Sequence, residues 1–282
     1  MKKEGSARFV APSLALMCLV TVYPVFYVLW LSLNKKHLIF GEREFVGLGN
    51  FAFLARDARF WNALGNTAYF TAASVALELA LGLAIALLMD RAFRLKGFMR
   101  ALVLVPWAVP TVVSARMWEW MYNTDFGILN YALGAKVNWL GSTFWALNAA
   151  VLMDVWKTTP FVAIILMAGL QTIPRELYQA ARVDGAGPWA VFRNVTLPLL
   201  KPVILVVLIF RTLDAFRIFD AIYVLTGGGP AQSTETLSIY AYKVLFQTLQ
   251  FGRGSAIAVA VFVSVAAISV FYMKLLMRRT AW

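Results

Sequence analysis

The sequence predicts an all-α integral membrane protein with six transmembrane helices. The first observation is composition: 61% of the 282 residues are hydrophobic and only 14% are charged, whereas soluble domains average about 25% charged residues. The second observation is a set of six apolar stretches, each long enough for the about 20 residues that a membrane-spanning helix needs. The predicted spans are 9–33, 65–89, 98–121, 146–170, 203–225 and 255–277.

These spans and their loops account for the whole chain, which predicts a single transmembrane domain over 1–282. The first span lacks a small-residue cleavage site and exceeds the about 7–15 apolar residues of a signal peptide, so it is predicted to be retained. The third span contains Pro106 and Pro110. We expect it to bend at these prolines and to free backbone groups beside Thr111 and Ser114, which in a membrane usually border a cavity or packed neighbours.

Charged residues lie near the centres of three predicted spans. An ionised group at the centre of a membrane helix costs about 2.5–3.5 kcal/mol on insertion scales, so these side chains should face the protein interior or a wet cavity. The second span carries one, the fourth two and the fifth four, namely Glu78, Asp154, Lys157, Arg211, Asp214, Arg217 and Asp220.

Two interpretations of these charges remain open. They can line a substrate path, or they can form ion pairs that hold helices together. Asp154 and Lys157 are three residues apart, a spacing that permits pairing within one helix. In the fifth span each three-residue step rotates the position back by about 60°. Arg211 and Asp220 are therefore predicted to lie on opposite faces, and the series is not expected to line one cavity.

The segment 173–202 is a polar, basic interruption between two apolar segments, and it is predicted to form two short helices. Pro174 suits a first helical turn, and Gly185 suits a left-handed stop. Gly187 and Pro188 restart a helix, which Leu197-Pro198 is predicted to end. Such an ordered pair of helices can dock into the groove of a partner, or it can be an ordinary amphipathic connector.

This segment resembles the EAA loop of permease subunits of bacterial carbohydrate ABC importers, of the maltose and glycerol-phosphate type. The family pattern of E-A-A, three residues, G and a later L-P corresponds to Gln179-Ala180-Ala181, Gly185 and Leu197-Pro198. Residues 45–51 and 225–230 also resemble segments of sugar permeases, so the resemblance covers nearly the whole chain. Gln179 replaces the family's Glu, and its amide cannot form an ion pair with a basic partner.

The resemblance implies the function and the partners. The chain would form half of a sugar pore that works by alternating access, together with a second permease subunit. Two ATPase subunits would dock on 173–202 and bind ATP and Mg, whereas this chain would bind no cofactor, and an extracytoplasmic binding protein would deliver the sugar. The residues implied for ATPase coupling are Gln179, Ala180, Ala181, Asp184, Gly185 and Ala186. The residues implied for the substrate pathway are Asp154, Lys157, Thr158, Phe161, Arg211, Asp214, Thr111 and Ser114.

Several other functions are disfavoured. The sequence has no HExxH, GxSxG, CxxC or GxxxxGK[ST] pattern, and its single cysteine (Cys18) and single histidine (His37) cannot build a familiar metal or nucleophile site. The net charge of +12 is spread over juxtamembrane loops, which indicates anionic membrane lipid as partner and not nucleic acid. The alternative function is a secondary transporter in which Glu78, Asp154 or Asp214 relays protons, although inverted repeats are absent.

The distribution of basic residues predicts the orientation in the bacterial inner membrane. Fourteen Lys and Arg residues lie in the N-terminal tail, 90–100, the long loop and the C-terminus, and eight lie in the intervening loops. Both termini and the 173–202 loop are therefore predicted to be cytoplasmic.

Overall fold

The structure is a computed structural model. It describes residues 4–41, 43–90 and 96–277, which are mostly helical. The helices are α1 Glu4–Met17, α2 Tyr23–Ser32, α3 Gly49–Arg56, α4 Ala58–Asp90, α5 Lys96–Ala108, α6 Thr111–Met121, α7 Ile128–Leu133, α8 Trp145–Gln171, α9 Arg175–Val183, α10 Pro188–Val191, α11 Leu197–Phe216, α12 Asp220–Leu225, α13 Leu237–Tyr242 and α14 Phe251–Met277. Three π-helical turns, Cys18–Val22, Phe192–Thr196 and Lys243–Gln247, and two short antiparallel strands, β1 Asn34–Lys36 and β2 Arg43–Phe45, complete the described elements.

Five helices are long and apolar enough to cross a membrane, and a bent pair of helices makes six when it is counted as one span. The five are Val10–Ser32, Ala58–Asp90, Trp145–Gln171, Pro188–Phe216 and Phe251–Lys274. The bent pair is Gly97–Ala108 with Thr111–Met121, whose axes differ by 91°. The predicted six-span helical fold is thus confirmed, with the bent pair counted as one span.

The bend of the third span lies at Pro110 only. Pro106 sits inside α5, whereas the chain leaves the helix after Ala108 and starts α6 at Thr111. A residue that precedes proline is pushed towards an extended conformation. This preference favours the break at Val109, whereas Val105, which also precedes a proline, remains helical within α5. The sequence-based expectation of bending at both prolines is therefore wrong for Pro106.

The fifth span differs from the prediction at both ends. A π-helical turn at Phe192–Thr196 joins α10 to α11, so one helix runs from Pro188 to Phe216 and does not end at Leu197-Pro198. The wider turn accommodates Pro198, which has no N–H to donate to the preceding turn. The helix then ends at Phe216, and Asp220 begins a separate helix. The predicted span 203–225 is therefore wrong in both boundaries.

The described residues form two compact units. In the unit built from Met1–Trp61 and Leu237–Ser264, strand β1 pairs with β2 so that Asn34 lies opposite Phe45. The buried amide of Asn50 donates to the carbonyl oxygens of Ser32 (2.8 Å) and Asn34 (3.0 Å). This side chain thereby fixes the ribbon to the end of α2.

The other unit, Asn62–Thr236 with Val265–Trp282, contains the helix that is most enclosed. The most apolar stretch of α8 is 67% buried, the largest share among the five long helices described. Its side chains pack with those of α4 and α11 in a core that includes Ala86, Val162, Leu166 and Leu200. This packing holds the polar middle of α8 at a fixed position beside α11.

Candidate functional site

A cavity of about 790 Å³ lies in this second unit, bordered by α8 and by two places where helices are interrupted. One break is the 91° bend between α5 and α6, and the other is the gap between α11 and α12. Discontinuous membrane helices are tolerated where they border protein or a wet cavity. The lining residues are Trp107, Thr111, Asp154, Lys157, Thr158, Phe161, Phe210, Arg211, Leu213, Asp214, Ala215, Arg217, Ile218, Phe219 and Asp220.

The sequence-predicted pathway residues are largely brought together here. Seven of the eight line the cavity, and the exception is Ser114. Its side chain is fully buried one turn along α6 from Thr111, and its hydroxyl has no hydrogen-bond partner in the described part of the chain. Whether the seven contact a substrate remains a prediction.

Arg211 is the centre of a buried ion cluster that joins α4, α8 and α11. Its Nε and Nη2 donate to the two carboxylate oxygens of Glu78 at 2.6 and 2.8 Å. Its Nη2 also reaches Asp154 Oδ2 at 3.1 Å, and its Nη1 reaches Asp214 Oδ2 at 2.5 Å. The Thr158 hydroxyl lies 2.6 Å from Glu78 Oε1. The bidentate contact to Glu78 is the geometry that a guanidinium favours with a carboxylate.

The members of this cluster differ sharply in exposure. The side chains of Glu78, Arg211 and Asp154 are 0%, 3% and 6% exposed, whereas that of Asp214 is 67% exposed. The Glu78–Arg211–Asp154 part therefore serves as an ion pair between helices, as one interpretation of the sequence proposed. Asp214 keeps an oxygen available to the cavity.

Lys157 does not use the intrahelical pairing that its spacing from Asp154 permits. Its Nζ donates to the backbone oxygens of Val109 (2.6 Å) and Trp107 (3.4 Å) at the end of α5. Asp154 is paired with Arg211. In the described part of the chain the two neighbours on α8 thus have separate partners.

The prediction that Arg211 and Asp220 cannot line one cavity is wrong. Both residues line it, together with Asp214 and Arg217. The prediction assumed a continuous helix, but α11 ends at Phe216 and a separate helix begins at Asp220 after a non-helical residue, Phe219. Arg217 Nε donates to the carbonyl oxygen of Leu213 in the last turn of α11.

Aromatic side chains form one wall of the cavity. The rings of Trp107 and Phe161 are stacked, with centroids 5.8 Å apart and planes inclined by 27°. Trp118 and Trp156, which the sequence places on the same helices, pack edge to face on each other and do not line the cavity. Flat apolar surface next to polar groups is typical of small-molecule sites.

The 173–202 loop begins with the predicted helix α9, which starts after Pro174 and ends before Asp184. Gly185 has a φ of +76°, which confirms the left-handed stop. No side chain of α9 or α10 is buried, and Leu177, Val183 and Trp189 are exposed large hydrophobic residues. Of the residues implied for coupling, Gln179, Ala180, Asp184 and Gly185 are exposed, and Ala181 and Ala186 are half-buried.

Residues 78–281 match the family of the binding-protein-dependent transport system inner membrane component. The chain belongs to this family. It is 44% identical over 269 residues to the trehalose/maltose transport system permease protein MalF of Thermococcus litoralis, covering 94% of this chain and 91% of that protein. It is 45% identical over 267 residues to the trehalose transport system permease protein SugA of Mycobacterium tuberculosis, covering 94% and 86%.

A similar fold is found in a crystal structure of a bacterial alginate ABC transporter in complex with alginate pentasaccharide-bound periplasmic protein. The TM-score is 0.85, at 20% identity, over 97% of this chain and 94% of that chain. Family membership makes the chain a permease, a transport component of the inner membrane and not an enzyme. The predicted class is confirmed, and the proton-coupled secondary transporter is set aside.

Sequence reasoning missed part of the permease's site. The sequence predicts Glu78 as a charge within the membrane but not as a pathway residue, because its partner Arg211 is 133 residues away. Trp107, Phe210 and Phe219 also line the cavity. Trp107 could have been predicted to line the cavity, because it lies just before Pro110, where the sequence predicts a bend. No comparable signal marks Phe210 or Phe219 in so aromatic a sequence.

Proposed function

We propose that this permease forms half of the translocation pore of an ATP-driven importer of neutral di- or oligosaccharides and works by alternating access. The cavity at the two helix breaks carries the proposal, because it combines an aromatic wall with exposed carboxylates. The trehalose and trehalose/maltose permeases among the relatives support sugar as the substrate class.

The chemistry of the cavity favours a neutral substrate over an anionic one. Asp214 is exposed, and Asp220 is exposed without a hydrogen-bond or ion-pair partner among the described residues. The nearly buried donors Arg211 and Lys157 already bind protein oxygens. Arg217 is the exposed cation among the lining residues. Sugar hydroxyls can donate to the exposed carboxylates of Asp214 and Asp220 and lie against Trp107 and Phe161. An acidic sugar would meet these two exposed carboxylates and a single exposed cation.

The proposal includes the partners of a binding-protein-dependent importer. A second permease subunit would complete the pore, and a sugar-binding protein would dock on the outside. Two ATPase subunits, which hold ATP and Mg, would bind the 173–202 loop in the cytoplasm. The exposed apolar residues Leu177, Val183 and Trp189 support a docking surface there. The residues proposed to couple ATP hydrolysis to the pore are Gln179, Ala180, Ala181, Asp184, Gly185 and Ala186.

A reconstituted transporter tests the proposal. The permease is co-purified with its second permease subunit and ATPases, placed in proteoliposomes and supplied with binding protein. We expect trehalose or maltose to stimulate ATP hydrolysis and to be taken up only when ATP is present. A disaccharide that carries a uronic acid should compete poorly for this uptake. Uptake driven by a proton gradient without ATP would contradict the mechanism, and preferred uptake of the acidic disaccharide would contradict the substrate class.

A further inference from the structure

The break in the third span leaves backbone oxygens that need a donor. Trp107 lies in the last turn of α5, and the residue four positions later begins α6 in a direction turned by 91°. Val109 is followed by Pro110, which has no N–H. Within a membrane protein, a carbonyl oxygen without a hydrogen bond is strongly unfavourable unless another group supplies the donor.

Lys157 supplies that donor from a different helix. Its Nζ lies 2.6 Å from the Val109 oxygen and 3.4 Å from the Trp107 oxygen, and only 9% of the residue is exposed. The end of a helix carries partial negative charge, which a cation stabilises. The ammonium group, with its three donors, therefore binds both oxygens and neutralises the end of α5 at once.

The contact also aligns the wall of the cavity. One turn beyond Lys157 on α8, Phe161 stacks on the Trp107 ring at 5.8 Å. The end of α5 is thus held to α8 by a polar contact to its backbone and by a ring contact to its side chain. Thr111, on the other side of the bend, lines the same cavity.

We propose that Lys157 is a positioning residue of the permease, which holds the third span in its bent form and thereby shapes the cavity, and that it does not act as a ligand of the substrate. This role refines the proposed function, because the bent span lines the site of the proposed sugar. Lys157 thus has a structural role in place of the role in the substrate pathway that the sequence predicts.

The test measures the bend directly and does not depend on sugar transport. Spin labels are attached to cysteines at Met99 and Trp120, which are 42% and 71% exposed, in a Cys18→Ser background. A straight helix separates these positions by about 32 Å, and two arms at a right angle separate them by about 20 Å. We expect Lys157→Met to give a longer and broader distance distribution, and Lys157→Arg to keep the original one.

Asp214→Asn is the matched control, because it removes a charge from the same cavity without touching the α5–α6 break. Its distance distribution should equal that of the parent. If Lys157→Met does not accumulate, Lys157→Gln, which is neutral but still donates, takes its place and should broaden the distribution less. Sugar uptake by the methionine variant should lose maximal rate more than apparent affinity.

An unchanged distance in Lys157→Met, with a loss confined to apparent sugar affinity, would overturn the proposal and make Lys157 a substrate ligand. Failure of the proposed transport function gives a different result. In that case the distance still shifts in the methionine variant while no sugar is taken up by the parent.

Discussion

At the scale of single residues, Arg211 has the most demanding environment in the described part of the chain. It is 3% exposed and contacts three carboxylates, of which Glu78 and Asp154 are also buried. A buried ion pair contributes little net stability compared with apolar residues, but removing one member strands the other charge. We therefore expect the cluster to specify how α4, α8 and α11 pack.

Arg211→Met should destabilise the permease by about 3–5 kcal/mol, because Glu78 and Asp154 would remain buried without their cation. The double variant Glu78→Gln with Arg211→Met should recover part of this loss. Arg217→Met is the control: it loses a single hydrogen bond to the Leu213 oxygen, which contributes about 1 kcal/mol. Thermal unfolding in detergent, followed by size-exclusion fluorescence, measures all three. Equal losses for Arg211→Met and Arg217→Met would contradict the cluster's role.

The structure also changes the expected behaviour of Asp154 and Lys157. If these residues formed an intrahelical ion pair, Asp154→Asn and Lys157→Met would rescue each other. Because their partners are Arg211 and the end of α5 respectively, we expect the double variant to accumulate no better than the worse single variant. Quantifying detergent-extracted protein for both singles and the double checks this, and recovery in the double variant would refute it.

Gly185 is a residue whose role depends on backbone conformation alone. Its φ is +76°, and a Cβ there would meet nothing within 4 Å. Gly185→Val should therefore cost about 1–2 kcal/mol locally, insert normally and lose sugar-stimulated ATP hydrolysis. Gly134→Val is a matched control, since Gly134 also has a positive φ (+62°) and open space around it. Full stimulated hydrolysis in Gly185→Val, or an equal loss in Gly134→Val, would leave the loop without a specific coupling role.

At the scale of helices, α4 and α8 approach each other closely at Gly82. A Cβ on Gly82 would lie 2.5 Å from Val162 Cγ1 and 3.2 Å from the backbone nitrogen of Ala163. The absence of a side chain thus allows the two helices to come together beside the ion cluster. Small residues at such positions are a common means of helix association in membranes.

Gly82→Ala should destabilise the permease by about 1–3 kcal/mol, because the added methyl group must displace α8 or Val162. Gly65→Ala on the same helix is the control, since a Cβ there meets nothing within 4 Å. It should be neutral or stabilising by up to about 1 kcal/mol, from helix propensity. Melting temperatures of the two variants and the parent, measured in the same detergent, test this difference in stability. A stability of Gly82→Ala equal to that of the parent would mean that the α4–α8 contact is loose.

At the scale of the whole molecule, orientation in the membrane is the property that remains a prediction. The fourteen-to-eight excess of basic residues supports cytoplasmic termini and a cytoplasmic 173–202 loop. Much of this excess lies outside the described residues, namely Lys2, Lys3, Arg91, Arg94, Arg278 and Arg279. Lys136 and Trp189 are exposed residues of described loops, and they are predicted to lie on opposite sides of the membrane.

A cysteine at Lys136, in a Cys18→Ser background, should react with an impermeant thiol reagent added to intact cells, and a cysteine at Trp189 should react only after permeabilisation. Mass tagging on gels measures both. Total labelling in permeabilised cells controls for intrinsic reactivity. The reverse pattern would place the 173–202 loop outside the cell and remove the basis for ATPase coupling.

The sequence by itself determined the class of the fold, five of the spans in outline and the turn at Gly185. These features follow from local requirements: a bilayer demands about 20 apolar residues per helix, and a left-handed residue favours glycine. The motifs at 179–185 and 225–230 that resemble sugar permeases each lie in one continuous stretch of chain, so they can be read from the sequence alone. The charged residues were recognised for the same reason, because each is costly in lipid wherever it points.

Only the tertiary structure decided which groups meet. Glu78 and Arg211 are 133 residues apart, and Lys157 binds oxygens 48 and 50 residues away. The end of α11 at Phe216 brought Asp220 into the same cavity as Arg211. Helical periodicity describes rotation about one axis and carries no information on which helix lies opposite or where an axis breaks. Those choices depend on packing between distant segments. They turn a row of charges into an ion cluster, a cap on the end of α5 and, at Asp220, a carboxylate that has no partner in the described part of the chain.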